Sequence, residues 1–535
     1  MNDLLIKNAL IVDGSGELPY KGDILVSGDR IAELGTDVSE NAEHVIDARG
    51  MVATPGFIDI HRHCDAKPLN GRSFADCMLL QGITSTVVGN CGISMTPAPK
   101  DLEKAREMYK FHEPVLGPIK EGMATTYSDY MGLLEKTPLA LNMAAMIGFG
   151  SVKISIKGFS NTPFSEEEAS QAEEVIDDAL ARGAPGISVG IMYIPECYTK
   201  TSEYERILRP VGKHHKVVTA HIRGEGDSMV QSVKEMIDIG KAAGCAVEIS
   251  HFKSCGMKNW RKDIHRAIAL INEARASGQD VSCDFYPYDG GSTSLTTMVP
   301  PAFVAGNMKR ALQMMGTPEG IAKFREMSAK TYPDWDNFAV TVGWDRILIS
   351  GVTKERNRKF INKNVEQCAK EYGYADSAEF VCKLLNDEDG NVAIINLTMC
   401  QDDIDTVARL PYSIVISDSI YADTDTPHPR MYGAFPKIIR EYVNERHVLS
   451  LEQAVSKMTM LPAKRMKISD RGLLKPGFFA DINIFDPQAF RDNATYADPT
   501  RVASGLSYCL VNGQVCVKDS AVVARQAGKV LKIGA

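Results

Sequence analysis

The chain has 535 residues, 24% charged and 44% hydrophobic, with a formal net charge of -8. That length exceeds one ordinary core and predicts a large folded domain with at least one smaller attachment. The acidic balance, with no dense Lys/Arg run, excludes an electrostatic drive toward nucleic acid or anionic lipid, so the expected partner is a small molecule.

At the start, MNDLLIKNALIVDG carries Asp3 and Lys7 where a signal peptide would be apolar, and no small-residue cleavage pattern follows. The expectation is a cytoplasmic protein with no membrane partner. Residues 1–54 alternate in the β manner, as do residues 470–535, where Asn512-Gly513 between apolar runs predicts a hairpin. Together the two ends predict one small β-sandwich. The longest uncharged run, Cys77 to Pro99, is broken by glycines and prolines and reads as strand and loop rather than a membrane span. Between the ends, short apolar runs alternate with amphipathic stretches, the mark of βα units around a parallel sheet. The clearest helix is SEEEASQAEEVIDDALARG, with a capping box from Ser165 and Glu168 and a stop at Gly183. Further helices are expected after Gly226, after Asn259 and over Lys437 to Asn444.

Eight strands are expected in chain order: GFIDIH, TVVGNC, NMAAMIG, GISVG, VVTAH, VEISH, VSCDFY and SIVISD. They predict an α/β fold, a (β/α)8 TIM-like barrel, split into residues 55–300 and 391–469 by an inserted subdomain at 301–390 that is long enough to form a lid. Five of the eight end in His, Cys or Asp. In a parallel barrel those ends converge on one face, so metal chemistry is a better explanation than packing.

His61 and His63, two apart at the first strand end, face the same way and can reach one metal. An H-x-H alone is a common accident. His221 and His251 each end another strand, and Cys91 ends the second, where a thiolate binds zinc or bridges two zincs. Other barrel hydrolases bridge their metals with a carboxylated lysine on the fourth strand, but GISVGIMY has none, and Cys91 fills that vacancy. The other eleven of the twelve cysteines are scattered, without a C-x-x-C pair, and read as buried thiols. Asp418 ends the eighth strand and is the candidate general base.

PGFIDIHRHCD and LKPGFFADINIFDP resemble the flanking signatures of the amidohydrolase superfamily. Within it, GNCGIS, HIRGEGDS, ISHFKS, DFYPYDGGST and HPRMYGAFPKIIREYV resemble the N-acyl-D-amino-acid deacylases, or D-aminoacylases, through nearly the whole chain. The resemblance implies a metal-dependent amidohydrolase acting on linear amides. It implies a tight zinc on Cys91, His221 and His251, with His61 and His63 forming a weaker second site that shares the cysteine. It also implies Asp418 as the catalytic aspartate, Tyr193 beside the scissile carbonyl, and Lys253, Tyr286, Ser292 and Arg430 around the substrate α-carboxylate. The chain departs from the pattern at Phe149, between Gly148 and Gly150, at Ser419 and at Phe252, which are expected to alter the pocket wall.

The expected reaction is zinc-dependent hydrolysis of N-acyl-D-amino acids to a carboxylate and a free D-amino acid. The run Thr293 to Asn307 holds no basic residue, so neutral or apolar side chains are expected. Two alternatives are a cyclic-amide hydrolase of the dihydropyrimidinase or hydantoinase kind, opposed by the missing lysine, and a non-catalytic scaffold relative, opposed by the filled ligand positions.

Overall fold

The computed structural model describes residues 2–39, 41–71, 73–120, 122, 124–421, 424 and 426–534. The fold is mixed α/β.

Both ends of the chain contribute to one hydrogen-bonded sheet of nine strands. Asn2–Ile11 lies beside Tyr20–Ser27, Ala42–Asp47 and Val52–Pro55, and Val52–Pro55 pairs antiparallel with Ile482–Phe485. The hairpin at Asn512-Gly513 joins Leu506–Val511 to Gln514–Lys518. Asn512 has φ 49 and Gly513 φ 81, the left-handed pair that this turn requires. Ile6, Ile24, Ile482 and Leu510 meet in the core of this unit.

All eight parallel segments expected from the sequence form strands. Phe57–Asp59, Ile83–Val88 and Asn142–Ala145 make one parallel sheet. Ile147–Gly148, Gly186–Gly190, Val217–His221, Ala246–Ile249, Val281–Phe285 and Ser413–Val415 make a second. The run NMAAMIG is therefore divided between the two sheets. At the other edge, Asp418 N donates to the His61 carbonyl at 2.9 Å and His63 N to the Ser419 carbonyl at 2.9 Å. Asp59 fastens the same seam. Its buried carboxylate accepts from Ser417 Oγ at 2.5 Å, Ser417 N at 3.2 Å and Arg62 Nη1 at 3.2 Å. Arg62, fully buried, also donates to Tyr421 Oη and the Met431 carbonyl, each at 2.9 Å.

The helices pack outside these strands. Glu166–Ala181 carries the expected capping box, Ser165 Oγ receiving Glu168 N while the Glu168 carboxylate receives Ser165 N. Met229–Ala243 and Asp263–Ala276 follow Gly226 and Asn259 as expected. Over Ile438–Glu445 the helix is wound as a π-helix, continuing from Arg430–Lys437. Between Val281–Phe285 and Ser413–Val415 lies a unit with its own core, in which Gly291–Ser294, Val392–Asn396 and Ile347–Val352 form an antiparallel sheet flanked by helices. No helix among the described residues is long and apolar enough to cross a membrane.

Asp59→Leu strands the Arg62 guanidinium without its counter-charge, an imbalance that costs about 3–5 kcal/mol in a buried pair. Urea denaturation is expected to show a loss of that order. A change below about 0.5 kcal/mol, the ordinary surface value, would show that the seam does not rest on Asp59.

Candidate functional site

The ends of the parallel strands bring His61, His63, Cys91, His221, His251 and Asp418 together from five separate stretches of chain. Two groups of ligand atoms result, each with all its members within 4.8 Å of one another: His61, His63, Cys91 and Asp418 in one, Cys91, His221 and His251 in the other. Cys91 belongs to both. Its Sγ is 3.2 Å from His61 Nε2 and 3.5 Å from His251 Nε2. His221 Nδ1 lies 2.9 Å from His251 Nε2, and Asp418 Oδ1 lies 3.4 Å from His61 Nε2 and 3.5 Å from His63 Nε2. Every one of these residues is buried.

Local backbone geometry is part of the arrangement. Cys91, His251 and Asp418 have φ of 54, 34 and 49, in the left-handed region that side chains other than glycine enter at a cost of about 1–3 kcal/mol each. Each residue sits just past its strand, where this turn swings the side chain inward. Two glycines make room: a Cβ at Gly190 would lie 2.1 Å from the Cys91 carbonyl oxygen, and one at Gly92 would lie 1.7 Å from Glu196 Oε1.

The electrostatics suit a cation. Burial lowers His61 and His63 to about 4 and His221 well below the usual imidazole value, so their rings are neutral and keep a lone pair for a metal. Burial likewise raises the Cys91 thiol well above its usual value, so a metal taken up here must displace a proton. Burial alone would raise Asp418, but Arg430 and His61 hold it well below the carboxylate range, leaving it ionised. Arg430 Nη1 is 2.8 Å from Asp418 Oδ2. The donor set fits a soft-to-borderline cation such as zinc: one thiol, four imidazoles and a carboxylate.

Three further carboxylates come from the structure. Glu225 Oε1 lies 2.9 Å from His251 Nδ1 and 2.5 Å from Lys253 Nζ. Asp284 accepts the His251 backbone N–H and has Oδ2 3.5 Å from His61 Nδ1. Asp59 sits beneath the first strand end. A carboxylate behind a ligating histidine fixes its tautomer and orientation. The signals were inside motifs already singled out: Glu225 is four residues past His221 in HIRGEGDS, and Asp284 opens DFYPY.

Beside the clusters is a recess walled by Ile93, Val115, Phe338 and Ile420 and lined by Tyr193, Lys253, Tyr286 and Ser292. Tyr193 Oη is 3.2 Å from His221 Nδ1. The Tyr286 hydroxyl is buried and has no partner among the described residues. Arg430 stacks on Tyr286 at 4.5 Å and donates through Nη2 to the Ser292 carbonyl at 3.3 Å. Lys253 is spoken for by Glu225, which keeps it charged despite burial. The three departures from the family pattern do not line this recess. Phe149 packs on Tyr204 at 4.8 Å, Phe252 lines a small void with Phe285, Met399 and Ile404, and Ser419 serves the seam through its carbonyl.

An amidohydrolase family model matches residues 403–517. The chain is 32% identical to the D-aminoacylase of Alcaligenes xylosoxydans xylosoxydans over 99% of its own length and 97% of the relative's. It superposes at TM-score 0.84 and 29% identity on the N-acyl-D-glutamate deacylase of Bordetella bronchiseptica, solved with zinc and a phosphonate mimic of the tetrahedral intermediate, covering 99% of each chain. A D-aminoacylase structure described by its binuclear metal centre matches at TM-score 0.83 and 30% identity, over 99% of this chain and all of that one.

Cys91→Ala removes the one atom common to both clusters and is expected to cut retained zinc to roughly a tenth or less after dialysis, since thiolate ligation supplies much of a site's affinity. His63→Asn alters only one cluster and is expected to spare the other. Elemental analysis that found the full zinc complement in Cys91→Ala would remove the cysteine from the metal centre.

Proposed function

This chain belongs to the N-acyl-D-amino-acid deacylase, or D-aminoacylase, family of the amidohydrolase superfamily, and from that premise we propose that it hydrolyses N-acyl-D-amino acids to a carboxylate and a free D-amino acid. The observation that carries the reading is the pair of clusters sharing Cys91 Sγ, with the Asp418 carboxylate on their edge and a recess holding an unpartnered hydroxyl beside them.

In this reading Cys91, His221 and His251 hold a tight zinc, and His61 and His63 form a weaker site that shares the cysteine. Zinc bound there supplies Lewis acidity for the scissile carbonyl and brings the pKa of a water to about 7. Asp418 Oδ1, ionised and facing the cluster, takes the proton of the attacking water and returns it to the departing amine. The Tyr193 hydroxyl donates toward the carbonyl oxygen as negative charge develops on it. Burial raises that phenol well above its usual value, so it remains a donor at neutral pH.

Lys253, Tyr286, Ser292 and Arg430 receive the substrate α-carboxylate. Arg430 offers a planar fork whose Nε has no partner among the described residues, and Tyr286 offers its free hydroxyl. Anchoring the carboxylate at several points on one side lets the site select one enantiomer, and the D hand is taken from the D-aminoacylase relatives. Ile93, Val115, Phe338 and Ile420 give the recess apolar walls, and Lys253, a cation lining it, is paired with Glu225. That supports neutral or apolar side chains over acidic ones.

The two parallel sheets, joined at both edges, support a (β/α)8 barrel with its active face at the strand C-termini; the nine-stranded sheet supports a small β unit from both chain ends in place of two facing sheets, and the separate core of the inserted unit supports the 301–390 region as a subdomain. A cytoplasmic location is part of the same proposal.

Asp418→Asn is expected to lower kcat by at least about 100-fold, the usual contribution of a general base, while the tight zinc on Cys91, His221 and His251 is retained. Full activity in that variant would acquit Asp418. Treated with a racemic pool of N-acetyl amino acids, the zinc-loaded enzyme is expected to release D-amino acids with neutral or apolar side chains foremost. Release of L-products overturns the stereochemical reading, and a preference for D-Glu or D-Asp overturns the side-chain reading.

A further inference from the structure

Next to the recess lies a second chamber, walled by Ile93, Ile154, Met192, Val299, Met308 and Trp335. Cys91, Tyr193 and Thr293 stand in the walls of both spaces, so the chamber opens on the metal clusters themselves. None of Lys253, Tyr286, Ser292 or Arg430 lines it. Beyond it is an outer cleft between the Leu102–Leu116 helix and the Met308–Met315 helix of the inserted unit. Phe111, Thr296 and Met308 line both chamber and cleft. The floor of the cleft is apolar, with Phe159, Met308 and Leu312 buried there, while exposed Lys104, Lys110 and Asp389 stand on its rim. Lys110 and Asp389 form an ion pair across that rim.

Resting on the deacylase reading, we propose that the chamber and the outer cleft form one passage for the acyl half of the substrate, and that the natural substrates are D-amino acids carrying a medium or long apolar acyl chain. Direction follows from connectivity. The acyl substituent is bonded to the carbonyl carbon, which must sit against Cys91 and Tyr193. The chamber begins at those two residues and lies away from the groups assigned to the α-carboxylate, so a chain leaving the carbonyl on its acyl side enters it.

The walls match an uncharged chain. Among the described residues no Lys or Arg lines the chamber. His112, buried there with Nδ1 unpartnered, is lowered to about 3 by burial and is neutral at working pH. The Glu196 carboxyl is turned to protein partners, accepting from Gly190 N at 3.0 Å and Tyr204 Oη at 2.9 Å. An acetyl group would leave most of this apolar wall uncovered. Each methylene added to the acyl chain removes apolar surface from water, strengthening binding by up to about fourfold per group.

The test is a chain-length series. N-acetyl, N-butanoyl, N-octanoyl and N-decanoyl derivatives of the preferred D-residue are hydrolysed by the zinc-loaded full-length enzyme, and kcat and KM are measured separately. KM is expected to fall stepwise from acetyl to octanoyl. In Met308→Trp, which places an indole where chamber meets cleft, the octanoyl-to-acetyl advantage in kcat/KM is expected to shrink by about tenfold or more, with N-acetyl turnover within about threefold of the parent. Inhibition by the product decanoate is expected to be far stronger than by acetate in the parent and to weaken in the variant. An enzyme that hydrolyses the acetyl derivative but shows flat or rising KM along the series overturns the passage, as does Met308→Trp slowing all chain lengths alike. The parent series and the decanoate measurement decide the matter even if the variant does not fold. Absence of turnover with every N-acyl-D-amino acid would instead overturn the deacylase reading.

Discussion

One sulfur atom joins what would otherwise be two unrelated groups of histidines. Cys91 Sγ lies 3.2 Å from a ring at the first strand end and 3.5 Å from another at a strand end 160 residues further along the chain than Cys91. For that to happen the residue after Asn90 has to leave the sheet in a left-handed turn, and the neighbouring backbone has to pass so close that Gly190 has no room for a side chain. The strands, the seam at Asp59 and the inward turns at His251 and Asp418 all serve this convergence. Strain held at several points of one small volume is sustained by the packed structure around it.

Burial on this scale would be prohibitive for isolated charges. The structure resolves it by pairing. Asp418 faces Arg430, Glu225 faces Lys253, and Asp59 faces Arg62, while Asp284, with no cation beside it among the described residues, has its carboxyl pushed up by burial. The histidines, by contrast, are left neutral. The division gives a site in which a cation finds lone pairs rather than protons, and in which the carboxylate assigned to proton transfer stays ionised.

Much of this was legible in the sequence. Eight apolar runs predicted eight strands because each is short, apolar and followed by a turn or a helix pattern, and Ser165 with Glu168 marked a helix start that the structure shares. The placement of NMAAMIG was not readable, since a run buried on all sides carries no sign of which neighbour its two halves will choose. Likewise, the alternation of DILVSGDRIAEL at one end and YCLVNGQVCV at the other declared strands without declaring that Val52–Pro55 would pair with Ile482–Phe485. At the site, His61, His63, Cys91, His221, His251 and Asp418 drew notice because they close strands. Glu225 and Asp284 did not, because a carboxylate in a loop or a strand is ordinary until the histidine it backs is seen beside it. The expectation that Phe149, Phe252 and Ser419 shape the pocket wall came from the motif alone, and the structure turns two of these side chains into other packing and uses the third through its backbone.

The terminal sheet has a consequence for how the molecule is made. Val52–Pro55 is hydrogen-bonded on one side to Asn2–Ile11 and on the other to Ile482–Phe485, more than four hundred residues downstream. During synthesis these early strands therefore emerge with an open edge and keep it until that distant strand has left the ribosome. Pairing so remote in sequence closes slowly, and an unpaired edge is the place where neighbouring nascent chains stick together. Yield in a cell would then depend less on the catalytic centre than on shielding that early strand, by chaperone or by low temperature, until its distant partner arrives.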